Sequence, residues 1–82
     1  MPTVLRLKGC EWRIYMDDHQ PPHCHIKVGD GTVVVNLDAT ASIRKTSNKV
    51  KASDVKKAQD LTIDNLDLLL QAWSNIHETD EE

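Results

Sequence analysis

The chain has 82 residues, 39% of them hydrophobic and 28% charged, with a net charge of −3 and two cysteines. That length fits one domain whose lone core stabilises it modestly, a size at which a dimer often helps. No stretch approaches the roughly 18 consecutive apolar residues of a membrane span, the start lacks a basic-then-apolar leader, and two thiols make no disulfide framework. The sequence therefore reads as a cytoplasmic protein with no membrane partner.

With no Phe, the core must rest on Val, Leu and Ile around Trp12, Tyr15 and Trp73. Residues 3–8 alternate in part and stop at Gly9. Residues 10–16 alternate cleanly, with Trp12, Ile14 and Met16 on one face and Glu11, Arg13 and Tyr15 on the other. Two strands with a tight turn at Gly9 are expected. Residues 17–22 form a loop whose two prolines fix their own backbone angles and push Gln20 and Pro21 toward extended geometry. A third strand over 23–28 sets Cys24, Ile26 and Val28 on an apolar face, and turns His23, His25 and Lys27 toward solvent or a partner.

Gly29-Asp30-Gly31 reads as a hairpin turn, with Asp30-Gly31 supplying the positive backbone angles, and residues 32–37 make a fourth strand with Val33, Val35 and Leu37 on one side. Residues 39–52 read mostly as a basic connection, with a short fifth strand near 42–45 as a variant of that reading. Ser53 suits a helix N-cap and Asp54 the first turn. Helical spacing from Val55 to Ile76, interrupted at Leu61-Thr62-Ile63, predicts helices near 53–60 and 63–77 and a fraying acidic tail over 78–82. The expected fold is one α+β domain: a four-stranded antiparallel meander followed by one or two C-terminal helices packed on one face. Leu66, Leu68, Leu69, Leu70 and Trp73 give the second helix more apolar surface than one sheet covers, which predicts a homodimer.

Most of the chemistry lies in residues 17–25. This segment holds His19, His23 and His25, Cys24, two prolines and two acids. One reading is a metal site: His23 and His25 on one strand face with His19 from the loop, Asp17 or Asp18 assisting, match the open three-ligand plan of catalytic zinc. Another is metal-free RNA cleavage, with His23 and His25 as acid and base and Lys27 or Arg13 holding phosphate. The strand also resembles that of the histidine-triad nucleotide hydrolases, but Lys27 stands at their third histidine. The plain alternative is structural, with the histidines packing the loop and pairing with a carboxylate such as Glu11. Cys24 falls on the core side of the alternation and reads as a small apolar group rather than a nucleophile.

Charge is segregated along the chain. Arg44, Lys45, Lys49, Lys51, Lys56 and Lys57 face one acid, Asp54, within 44–57, whereas residues 60–82 hold seven acids and no Lys or Arg. The basic run is a candidate partner or nucleic-acid surface.

Residues 1–6, the His-x-Pro-Pro-His-x-His signature of residues 18–26, and Leu69-Leu70-Gln71-Ala72-Trp73 together resemble the small prokaryotic family catalogued as domain of unknown function 4160. The resemblance supplies no activity. It implies gene neighbourhoods rich in mobile and defence functions, often beside another small protein, and hence a toxin–antitoxin-like pair. The expectation is an accessory or regulatory protein acting through a cognate protein partner, ahead of an enzyme. The competing expectation is a phosphodiesterase, a ribonuclease-type toxin that uses His23 and His25 alone or with a divalent metal such as zinc.

Overall fold

The computed structural model describes residues 3–47 and 49–78. Five strands come first in the chain: β1 (Thr3–Leu7), β2 (Cys10–Arg13), β3 (His23–Val28), β4 (Gly31–Asn36) and β5 (Ile43–Thr46). Two helices follow, α1 (Ala52–Asp64) and α2 (Leu66–Glu78). The strands pair antiparallel in sequence order, β1-β2-β3-β4-β5, so the fold is α+β with a meander sheet. The acidic tail expected beyond Glu78 lies outside the described residues.

The turns follow from backbone chemistry. Lys8 and Gly9 both take positive φ, 49° and 83°, as a type I′ hairpin turn requires. At the β3–β4 turn the positive φ (56°) falls on Gly29 rather than on the expected Asp30-Gly31 pair. Gly31 serves another purpose, because a Cβ there would run into the Val50 side chain.

Alternation places Trp12, Ile26 and Val33 in one row across β2, β3 and β4, and Cys24 beside Val35 in the next. Both rows are buried, together with Leu69 and Trp73 of α2 and Ala58 of α1. Each large apolar side chain so covered contributes about 1.5–3 kcal/mol. Trp12 also donates its indole N–H to the Thr62 hydroxyl (2.9 Å), which donates in turn to the Ala58 carbonyl (2.7 Å).

The elements depart from the sequence reading at several points. β2 ends at Arg13, because Tyr15 and Asp18 exchange hydrogen bonds and turn the chain; Ile14 stays buried but Met16 is 62% exposed. The basic connection contains β5, which completes the hydrogen bonding of β4. α1 starts at Ala52 after an N-cap at Lys51 that makes no side-chain bond, so Ser53 does not cap it. The helix runs through Leu61-Thr62-Ile63, since Thr62 finds its partners within the core, and breaks at Asn65, whose side chain donates to the Leu61 carbonyl.

Candidate metal centre

Asp18 is fixed by the turn that ends β2. One carboxylate oxygen accepts the Tyr15 N–H (3.1 Å), and the Asp18 N–H donates to the Tyr15 carbonyl (3.1 Å). From α2, His77 bridges this loop to its own helix, with Nδ1 2.9 Å from the Trp73 carbonyl and Nε2 3.2 Å from the Asp18 carbonyl. The other Asp18 oxygen, Oδ1, is thereby aimed at β3, 3.4 Å from His25 Nε2 and 3.6 Å from His23 Nε2. All three residues present ligand atoms within 4.8 Å of one another, an arrangement able to hold a metal ion.

The two imidazoles share a strand face because they are two residues apart. His23 is further constrained: its Nδ1–H donates to the Pro21 carbonyl (2.9 Å). A carbonyl can only accept, so Nδ1 carries a proton, and Nε2 is the ring nitrogen directed toward Asp18. Metal-binding histidines are characteristically oriented by such a backbone bond. The Gln20–Pro21 peptide that leads into this contact is cis.

The rings form a continuous packed row. Tyr15 meets His25 edge-on (5.0 Å between centroids), His25 meets His23 (5.5 Å), His23 leans on Trp73 (5.5 Å), and His77 stacks on Trp73 (3.9 Å). His23 is consequently buried rather than turned to solvent as its place in the alternation predicts. His25 keeps one side open.

That open side faces a depression of about 470 Å³ whose walls include Asp18, His19, His25, Arg44 and Lys45. The two cations arrive through an irregularity in β5. Lys45 pairs with Val34 and Ile43 with Val35, so Arg44 is an extra residue and both cations border the same depression. Bulges commonly re-aim side chains in this way. Asp38 holds the preceding loop, accepting from the Ser42 and Thr40 backbones and hydroxyls; those bonds, led by the Ser42 N–H, keep its carboxyl below the usual range.

Of the residues singled out in the sequence, the structure gathers His23, His25, Asp18, Arg44 and Lys45. His19 borders the same depression with an exposed side chain, outside the group of mutually close ligand atoms. Glu11 does not pair with the histidines. It binds Arg13 (2.7 Å) and accepts from Thr3 (2.9 Å), which together hold its carboxyl below the usual range, and this engages Arg13 as well. Lys27 borders a separate depression with Arg6. Lys56 pairs with Asp60 on α1, and Lys57 lies near Gly9.

Cys24 is buried in the core, and burial, aided by the Asp18 charge, pushes its thiol up to about 12. Burial also raises Cys10, against the pull of Lys57. Sequence reasoning missed His77 and the contact of Trp73 with His23. Their spacing of four places them on one helix face, the one signal that pointed there.

Residues 9–74 match the family described as domain of unknown function (DUF4160). Neither the curated proteins nor the solved structures gave a match.

Proposed function

The chain belongs to the family described as domain of unknown function (DUF4160), and from that premise we propose that it binds a divalent ion through Asp18, His23 and His25 and uses the site to cleave phosphodiesters. Two imidazoles and one carboxylate with an open position form a ligand set used by catalytic zinc, and zinc is the ion we assign to the site. A single observation carries the reading: three ligand atoms converge within 4.8 Å, one imidazole already oriented by a backbone carbonyl, on the wall of a depression shared with Arg44 and Lys45. When bound, such an ion would lend Lewis acidity to a phosphoryl oxygen and ease ionisation of the water that attacks phosphorus as the ester P–O bond breaks, the water's proton passing to solvent. The chain's own residues supply the rest. Arg44 and Lys45 attract and orient the phosphate, and His19, on the rim, delivers a proton to the leaving oxygen.

The module setting follows the gene neighbourhoods that the family resemblance implies. In it this chain is the active member and a small cognate protein restrains it. Met16 supports that second element of the reading: it is 62% exposed and borders, with Asp18, Trp73 and His77, a depression behind the metal ligands. A partner seated on Met16 presses on the Asp18 loop. Ile63 and Leu68, exposed on the helices, are the surface for a homodimer. Among the described residues no helix is long and apolar enough to cross a membrane, and the free cysteines Cys10 and Cys24 suit a reducing cytoplasm.

The test compares tag-free wild type with His23→Ala/His25→Ala for zinc-dependent cleavage of RNA and for growth arrest on expression. Wild type is expected to cleave and to arrest growth, and the double variant to do neither. Equal toxicity of the two would rule the site out as the source of activity. Co-expression with the adjacent gene product is expected to give a complex and to relieve the arrest.

A further inference from the structure

The open face of the sheet carries more positive charge than the metal centre uses. The five strands contain five cations, Arg6, Arg13, Lys27, Arg44 and Lys45, and one acid, Glu11. The helices reverse that balance, with Asp54, Asp60, Asp64, Asp67 and Glu78 against Lys56 and Lys57, and the loops add Asp17, Asp18, Asp30 and Asp38. Pairing registers arrange four of these cations in two adjoining rows, with Arg44 the extra residue beside Lys45 and Glu11 ion-paired with Arg6 (3.7 Å) and Arg13 (2.7 Å). Arg13, His25, Val34 and Lys45 cross β2 to β5, and Arg6, Glu11, Lys27 and Thr32 cross β1 to β4. The buried rows of the opposite face are those covered by α1 and α2, which leaves these two rows to solvent.

Surface relief follows the same path. The depression at the metal centre adjoins one of about 360 Å³ that shares His25, Val34 and Lys45 with it and adds Thr32. Beyond Lys27 lies a third, of about 460 Å³, bordered by Arg6, Lys8 and Lys27. Five strands spaced by about 4.8 Å span about 19 Å, which at 3.4 Å per stacked nucleotide corresponds to about six nucleotides.

Resting on the phosphodiesterase reading for its chemistry, we infer that this face is a track for a single strand of nucleic acid, entering over Arg6, Lys8 and Lys27 and reaching the metal centre between His25 and Lys45. A backbone of phosphates fits a cationic path with separate depressions better than a compact phosphate ester does. A partly exposed ring, His25 backed edge-on by Tyr15, offers a base something to stack against. An acidic protein segment would use the charges but leave that ring without a role.

The test is fluorescence anisotropy at low salt in the presence of a chelator, with labelled ten-nucleotide RNA, DNA of the same sequence, a dinucleotide and polyglutamate as probes. The ten-nucleotide strands are expected to bind, RNA against DNA naming the source of the backbone, and the dinucleotide to bind at least tenfold more weakly. Arg6→Glu, on β1, and Lys27→Glu, the next residue along the same face of β3 from His25 but outside the ligand set, are expected to weaken binding about tenfold each and to flatten its salt dependence. Lys56→Glu, on α1, is expected to leave it unchanged. Equal affinity for the dinucleotide, tighter binding of polyglutamate, or an equal loss in Lys56→Glu would overturn the inference. Asp18→Asn keeps the two readings apart: strand binding that survives in it alongside absent cleavage in wild type sinks the phosphodiesterase and leaves the track standing.

Discussion

Asp18 does three things with one side chain and its own backbone. One oxygen closes the turn after β2, the other faces both imidazoles, and its carbonyl receives His77 from α2. Asp18→Asn keeps the shape but replaces an anionic ligand with an amide, so zinc affinity measured by calorimetry is expected to fall at least about a hundredfold, beyond the 10–100-fold typical of second-layer changes. The sequence made the histidine pair legible because strand alternation alone puts His23 and His25 side by side. It did not choose Asp18 over Asp17 or His19, since that choice rests on the Tyr15 turn and on a helix almost sixty residues away. Cys24 gives a separate test at this scale. Its folded thiol is pushed up to about 12 by burial, from an ordinary value of 9.0. The stabilisation is complete below the unfolded value and is lost as pH rises toward the folded one, because the unfolded chain releases its proton first. Urea unfolding is expected to show stability falling between pH 9 and 12 by up to about 1.4 kcal/mol per pH unit from this group. In Cys24→Ala that part of the slope should vanish.

Among the elements, α1 is held to the sheet by a polar bond inside an apolar layer. Thr62→Val removes the acceptor of the Trp12 indole N–H while keeping the volume, and is expected to cost about 1–3 kcal/mol in urea unfolding, the penalty of a buried donor left without a partner. A cost below a few tenths would mean that the indole finds water instead. This bond also explains why the sequence misplaced the helix break. Thr62 between Leu61 and Ile63 looks like a cap locally, but its hydroxyl is spoken for by Ala58 and Trp12, and the amide of Asn65 ends the helix. β5 was hard to read for a related reason. Its four residues are all exposed and carry no apolar alternation, so only the bare edge of β4 makes them a strand. The meander up to β4 was readable from alternation and turn residues, and α2 from its leucine spacing. The irregularity that brings Arg44 and Lys45 to the histidines left no trace in composition.

Across the whole molecule, charge and apolar surface are unevenly shared: the strands hold five cations and one acid, the helices five acids and two lysines, and the exposed Ile63 and Leu68 lie on the helices. The self-association proposed through that side is expected to appear as a dimer in sedimentation at tens of micromolar, and Leu68→Glu to return it to monomer without loss of zinc binding. A monomeric wild type would limit those side chains to a heterologous partner. Much of the apolar surface that α2 offers in the sequence is spent on its own sheet, with Leu69 and Trp73 buried, which pattern alone could not reveal. The account turns on the metal centre, and zinc titration of tag-free protein by calorimetry, beside His23→Ala/His25→Ala, tests it most directly. One ion per chain in wild type and none in the double variant is the predicted result. No binding, or binding that survives both substitutions, would contradict it.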